Sequence, residues 1–250
     1  MNLSLIIPAY NSGTIIRSTL DSLWSYLPNH FLAFEVIVVD DASSDNTVKE
    51  ISAFKDSRLK LIQHQTNRGK FGVIKTGMLA ASGTCRVFTD ADLPYEVSVI
   101  PYLAHLVNDL QFHLAIGDRT LRESTDRTGK DRIRQLFSVS CRTAVRLLVA
   151  GEMFDTQCGL KALRGDVADA IFPLIKDDGF AGDIELLYIA LKYNLAIRRV
   201  PVNLERSAQT TVKLAADSLQ ILKRLLLLRS AWQSGQYHSQ QLTQIARQEY

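Results

Sequence analysis

The sequence predicts an α/β fold, a mainly parallel twisted sheet with helices on both faces. Short apolar runs alternate with segments of helical spacing through the first half of the chain. The runs are continuously apolar rather than alternating, as strands buried on both faces are. Three of them end abruptly in polar residues, at Pro8–Asn11, Asp40–Asp41 and Asp90–Asp92. In a parallel sheet with right-handed crossovers those ends share one edge, the edge where open α/β sheets bind ligands.

Leu3–Ile7 reads as the first strand, broken by Pro-Ala-Tyr-Asn-Ser-Gly, and Thr14–Leu27 places Ile15, Ile16, Leu20, Leu23, Trp24 and Leu27 at helical spacing. Phe34–Val39 is a second buried strand. A helix follows, with Asp45 and Thr47 near its start and Val48, Ile51 and Phe54 as its apolar face. Arg58–His64 reads as the third strand, Lys70–Ala81 as a helix stopped by Ser82-Gly83, and Arg86–Thr89 as the fourth strand. In the second half a helix around Val97–Leu110 precedes a strand at Leu114–Gly117, a basic loop and a helix over Ile133–Val149. Cys158–Leu163 and Ala196–Val202 read as strands, Leu186–Leu191 as helix and Lys213–Trp232 as an amphipathic helix. The Gln-rich residues from Ser234 read as a loosely ordered tail. No repeat or linker divides the chain, so residues 1–232 form one domain and 233–250 a tail.

A chain of 250 residues with 46% hydrophobic residues can bury a full core. The net charge of +3 names no partner, but its distribution is uneven. Residues 117–146 hold eight Lys/Arg against four acids, and residues 197–229 hold seven against two. That surface suits phosphate, anionic lipid or nucleic acid, and nucleic acid is not among the partners expected. Cys85, Cys141 and Cys158 lack metal-site spacing and predict inert thiols in a reducing cytosol. The N-terminus has no basic region before Pro8, and no run of 18 apolar residues exists, so neither a signal peptide nor a spanning helix is expected.

The most informative junction is Val87–Pro94, VFTDADLP. In an extended segment Asp90 and Asp92 share a face, and two such carboxylates can hold a hard divalent cation, Mg²⁺ or Mn²⁺. An isolated Asp-X-Asp is more often a solvated loop start. Here the same edge also offers the Tyr10 ring to stack on a base, the Asn11 amide, and Asp40 and Asp41 to accept from a base N–H. Asn67-Arg68-Gly69-Lys70 opens a helix, where basic side chains and free backbone N–H groups make a diphosphate site. No G-x-G-x-x-G follows the first strand and no Walker A loop exists, which argues against dinucleotide and P-loop sites.

At these residues the chain resembles family 2 glycosyltransferases of the A-type fold, through LSLIIPAYNS, EVIVVDDASSDNT, NRGKFGVIKTGMLAASG and VFTDADLP. IGDR, DTQCGLKALR, GFAGDIELL and Val212–Leu214 are similar to the dolichyl- or polyprenyl-phosphate sugar transferase branch. The resemblance implies a nucleotide-sugar-binding half, 1–117, and an acceptor-binding half, 118–232. Pro8, Tyr10 and Asp40 or Asp41 would line the nucleoside pocket, with Asn11, Arg68, Lys70 and Ala91 completing the nucleotide-sugar site. Asp90 and Asp92 would hold the metal, and turnover would depend on Asp92. Arg119, Arg134 and Lys213 would meet the acceptor phosphate. Ser12, Pro94 and Val212 depart from residues common among relatives, which have Glu, Gln and Ser there.

The implied reaction moves a hexose, with inversion, from a UDP- or GDP-sugar to a polyprenyl phosphate. Such an acceptor is already ionised near neutral pH and needs no strong base. A hydroxyl acceptor, the enzymatic alternative, would need one, and Asp155, Asp183 and Glu185 are the candidates. A nucleotidyltransferase would carry a Gly-rich loop where Pro8-Ala9-Tyr10 stands, and a nucleotide-binding module would not need a paired metal site. Lys213–Trp232 has the apolar face and flanking basic groups of an interfacial helix, which predicts peripheral attachment to the cytoplasmic membrane face; a homodimer seam is the rival reading of its leucines.

Overall fold

The structure, a computed structural model, describes residues 2–125, 155–179, 181–204 and 227–248. The helix expected over Ile133–Val149, most of Lys213–Trp232, and the candidates Arg134 and Lys213 lie outside the described residues.

Seven strands form one sheet: β1 (Asn2–Ala9), β2 (Ala33–Asp40), β3 (Leu59–Gln63), β4 (Cys85–Phe88), β5 (Leu114–Asp118), β6 (Lys161–Arg164) and β7 (Ile197–Pro201), in the order β3-β2-β1-β4-β6-β5-β7. β2, β1, β4 and β3 pair in parallel, as do β5 and β7, while β6 runs antiparallel to both its neighbours. The sheet is α/β and mainly parallel, as expected. The reversed β6 has no sequence signature, because a buried apolar run reads the same in either direction.

Successive strand residues feed opposite layers, the period-2 consequence of the pleat. Leu5, Ile7, Val36, Val38 and Val87 pack with Leu20 and Leu23 of α1 (Ile16–Tyr26) and with Leu103 and Val107 of α4 (Val99–Asn108). Ile6, Ile37, Val39 and Phe88 pack on the other side with Val73, Ile74 and Met78 of α3 (Lys70–Ala80), with α5 (Gly165–Ile171) and with α6 (Gly182–Lys192). α2 (Thr47–Ala53) completes the first half.

The expectation of a loose tail is corrected. Residues 240–247 form a further helix, α7 (Gln240–Arg247), started by Ser239, whose Oγ accepts from Leu242 N at 3.2 Å. Tyr237, Leu242 and Ile245 are buried against the α6 side of the core, and the Tyr237 hydroxyl donates to Glu185 Oε1 at 2.7 Å. Low apolar content hid this helix, which contributes only two side chains to the core but docks through a cap and a buried hydroxyl.

One carboxylate ties three elements together. Glu35 on β2 accepts from Ser4 Oγ at 2.6 Å, from Ser82 N and Oγ at 2.8 Å, and from Lys60 Nζ at 2.6 Å. Burial alone would raise its pKa, but Lys60 and the serine donors outweigh it and lower the value from 4.5 to about 2. A depressed carboxylate stabilises the fold above its unfolded pKa and loses that contribution as pH falls through the folded one. Urea unfolding is therefore expected to show a Glu35-dependent loss of about 1 kcal/mol between roughly pH 4.5 and 2, after allowance for solvent screening. Glu35→Gln should flatten the curve in that window.

Candidate active site at the carboxyl edge of the sheet

The ends of β1, β2, β3, β4 and β5 meet at one edge, and antiparallel β6 begins there, since Lys161 lies opposite Phe88 and Ile116, at the ends of β4 and β5. The antiparallel strand therefore delivers residues 155–161 to the same edge from the opposite direction.

At the end of β1, Pro8 lies inside the strand opposite Val39, and the Tyr10 ring is half exposed. Asn11 adopts a left-handed φ of 49°. Its N–H donates to Ser43 Oγ at 2.8 Å and its Oδ1 accepts from Ser44 N at 2.9 Å. Asn11 thus ties the loops after β1 and β2 together, a task within the fold beside the place in the nucleotide-sugar site expected of it. Asp40 is buried, with Oδ2 accepting from Ser43 N at 3.1 Å and Oδ1 left without a partner among the described residues.

Asp41 does other work than that expected. Its Oδ1 accepts from Arg68 N at 2.8 Å and pairs with His64 Nδ1 at 3.0 Å, and its Oδ2 accepts from Gly69 N at 2.9 Å. It organises the loop entering α3, with Gly69 at a φ of 87° that a side chain would strain. The Phe71 and Gly72 amides bond to the Asp178 carbonyl at 2.9 and 3.0 Å. The expectation of free amides at Asn67–Lys70 is corrected at Arg68 and Gly69, whose N–H groups are taken by Asp41, and the two amides that follow Lys70 are engaged as well. Arg68 and Lys70 are left to act through their side chains. Arg68 is exposed and pairs loosely with Asp178 at 3.5 Å.

β4 ends at Phe88, and Asp90–Leu93 is a tight turn, closed by Leu93 N to Asp90 O at 3.1 Å with Leu93 at a φ of 43°. Asp90 and Asp92 therefore flank Ala91 in a turn, so their proximity does not come from strand periodicity. The Ala91 carbonyl is fixed by Thr19 Oγ1 at 2.5 Å. Asp90 Oδ1 pairs with Lys70 Nζ at 2.5 Å. Burial alone would lower the Lys70 pKa, but Asp90 and Asp183 hold it above its ordinary value. Gly159 stands behind Asp90, and a Cβ there would overlap Oδ2. Gly159→Ala should push Asp90 out of register and lower turnover roughly 10²-fold, the scale of a 1 Å misplacement. Steady-state kinetics with an unchanged unfolding curve would check it.

Asp155 and Asp183, the base candidates for a hydroxyl acceptor, are both committed to cations. Asp155 accepts from Arg119 Nε at 2.8 Å, Nη2 at 2.7 Å and backbone N at 2.9 Å. Burial would raise its pKa, but Arg119 lowers it below the ordinary value, the wrong direction for a base at neutral pH. Asp183, in the first turn of α6, accepts from Lys161 Nζ at 2.5 Å, and Lys161 also donates to the Cys158 carbonyl at 2.7 Å. Glu185 accepts from Lys176 N, Asp177 N and the Tyr237 hydroxyl. Lys161 and Gly159 were not assigned by the sequence reading. A lone lysine in the buried run Cys158–Leu163 was the available signal, since a fully buried lysine requires a partner.

The sequence profile described as "Glycosyl transferase family 2" matches residues 4–172, from β1 through α5. The chain belongs to this family. Its fold is the α/β, A-type fold of these glycosyltransferases. The family 2 chain is 28% identical over 246 residues to the dolichyl-phosphate beta-glucosyltransferase of Dictyostelium discoideum, covering 93% of this chain and 75% of that protein. It is 29% identical over 255 residues to the Homo sapiens protein of the same name, covering 96% and 78%. Among solved structures, the glucosyl-3-phosphoglycerate synthase of Mycobacterium tuberculosis in complex with Mn²⁺, UDP and phosphoglyceric acid aligns with a TM-score of 0.69 at 21% identity, over 91% of this chain and 78% of that one.

Proposed function

We propose that this family 2 enzyme transfers a hexose, with inversion, from a nucleotide sugar to a polyprenyl phosphate of the dolichyl type, and that UDP-glucose is the donor. The observation that carries the acceptor assignment is the fate of the carboxylates. Asp155, Asp183 and Glu185 are all engaged in the fold, while the same edge presents Arg119. A phosphate acceptor is already a nucleophile and requires a cation to receive it rather than a base to activate it. Asp155 takes Nε and Nη2 of Arg119 and so aims the guanidinium, whose planar fork suits phosphate. The relatives named as dolichyl-phosphate beta-glucosyltransferases support the lipid acceptor and the glucosyl group.

In this reading Tyr10 and Asp40 face the nucleoside, the unpartnered Asp40 oxygen accepting from a base N–H. Asp90 and Asp92 hold Mg²⁺ or Mn²⁺. The donor set fits: the two carboxylates of one turn are hard oxygen donors, the kind that Mg²⁺ and Mn²⁺ would take. When bound, the ion supplies charge stabilisation to the departing diphosphate. An acceptor phosphate oxygen attacks the anomeric carbon on the face opposite the diphosphate, and the sugar inverts. Arg68 and Lys70 add positive charge on the leaving-group side. Arg134 and Lys213 keep their proposed roles as further contacts to the acceptor phosphate.

No helix among the described residues is long and apolar enough to cross a membrane. We place the enzyme at the membrane surface, with the lipid contact expected of Lys213–Trp232 confined to its earlier part, since Leu228 and Trp232 at its end pack on the protein core. Purified protein incubated with UDP-glucose, Mg²⁺ or Mn²⁺ and a short polyprenyl phosphate should release UDP. Release with a hydroxyl acceptor, and none with any lipid phosphate and any UDP- or GDP-sugar, would replace the lipid-phosphate assignment by the hydroxyl one.

A further inference from the structure

The Lys70–Asp90 pair sits where the divalent ion is proposed to bind, and the two cations compete for one carboxylate oxygen. We propose that Lys70 holds the metal's place on Asp90 and yields it only as a diphosphate arrives, so that metal and nucleotide diphosphate bind cooperatively. The inference rests on the reading of Asp90 and Asp92 as metal ligands.

Lys70 Nζ is 2.5 Å from Asp90 Oδ1, and Gly159 closes in on Oδ2, so Asp90 has little room to take an ion while keeping its lysine. Both side chains keep about a quarter of their surface exposed, so the pair is reachable from solvent. Of the carboxylates that act on Lys70, Asp90 would be taken by the ion. Asp183 is the other carboxylate acting on it, and Asp183 is already paired with the buried Lys161. A divalent ion added alone turns the cluster of Asp90, Asp92, Asp183, Lys70 and Lys161 net positive and leaves an ammonium beside it without a partner. A diphosphate removes both penalties, because its oxygens ligate the ion and accept from Lys70. The backbone on either side of Lys70 is fixed, through Gly69 N on Asp41 and Phe71 N on Asp178. The exchange is therefore a swing of the flexible four-carbon stem, with no loop movement required. Arg68, two residues before Lys70 and exposed, is not a substitute: its guanidinium is directed to Asp178.

The test is a titration of the full chain with Mn²⁺, reading free Mn²⁺ by electron paramagnetic resonance, without nucleotide and with saturating UDP, corrected for Mn²⁺ bound by UDP itself. In the wild type UDP should tighten Mn²⁺ binding by about tenfold or more, and Mn²⁺ should tighten UDP by the same factor. Lys70→Met should bind Mn²⁺ alone about tenfold more tightly than the wild type and lose most of the UDP enhancement, whereas Lys70→Arg should keep it. Lys70→Gln repeats the measurement should the Met variant fail to fold. Nucleotide-free Mn²⁺ affinity within twofold of wild type in both neutral variants overturns the inference while leaving the metal site standing. Absence of Mn²⁺ binding by the wild type with UDP present removes the metal site itself, and the inference with it.

Discussion

Asp92→Asn is expected to lower turnover by roughly 10²–10³-fold while leaving the unfolding curve close to wild type, the scale for removing one preorganised charge-stabilising group. The substitution keeps size and shape and removes one negative charge from the Asp90–Leu93 turn. The turn itself is held by the backbone bond from Leu93 to Asp90 and by Thr19 on the Ala91 carbonyl, and the variant keeps both. In the proposed site two carboxylates would hold the divalent ion: Lys70 is paired with Asp90, and Asp92 is the other. Its loss should raise the Mn²⁺ concentration needed for half-maximal activity and reduce kcat even at saturation, because the ion then stabilises the leaving diphosphate from a less constrained position. Asn at 92 with kcat/KM within threefold of wild type would show that the carboxylate pair does not serve the reaction. A nucleotide-binding module without transferase activity would instead keep its UDP affinity in the variant and show no turnover in either form.

The sequence carried the first half of the molecule well, for a physical reason. The inner strands there are largely apolar runs because both faces are covered, and they end in polar residues because the edge is open to solvent. Local pattern and global position therefore agree at Leu3–Ile7, Phe34–Val39 and Arg86–Thr89. Pattern failed where function is shared between distant residues. Asp41 and Asp40 are adjacent and chemically identical, yet one is filled by the amides of Arg68 and Gly69 while the other keeps a vacant oxygen. Only the path of the α3 entry loop decides which. Asp155 and Asp183 stood as base candidates for a hydroxyl acceptor because the partners that neutralise them, Arg119 and Lys161, lie 36 and 22 residues away. The docked helix at Gln240–Arg247 went unread because its contribution lies in a cap and a buried hydroxyl rather than in hydrophobic periodicity.

Lys161→Met should destabilise the protein by about 3–5 kcal/mol, the usual penalty for removing one member of a buried ion pair. For a chain of this size that lowers the melting temperature by roughly 10 °C. Methionine replaces the stem without crowding, so the loss is electrostatic: the Asp183 charge and the Cys158 carbonyl are both left buried without their shared donor. Replacing both partners, Lys161→Met with Asp183→Leu, should recover most of the stability, since no charge then remains uncompensated. Activity should not recover with it. Lys161 fastens Cys158, and the strap from Asp155 to Gly159 is what aims Arg119 and backs Asp90. With the tie gone, Arg119 and Asp90 lose their fixed separation even in a stable fold, and the proposed acceptor phosphate and metal are no longer held at a reacting distance. Kinetics of the double variant well below its melting temperature separate the two effects. A stable double variant with wild-type kcat/KM would reduce the pair to a packing element, and a single variant destabilised by less than about 1 kcal/mol would mean that water reaches Asp183 in place of the lysine.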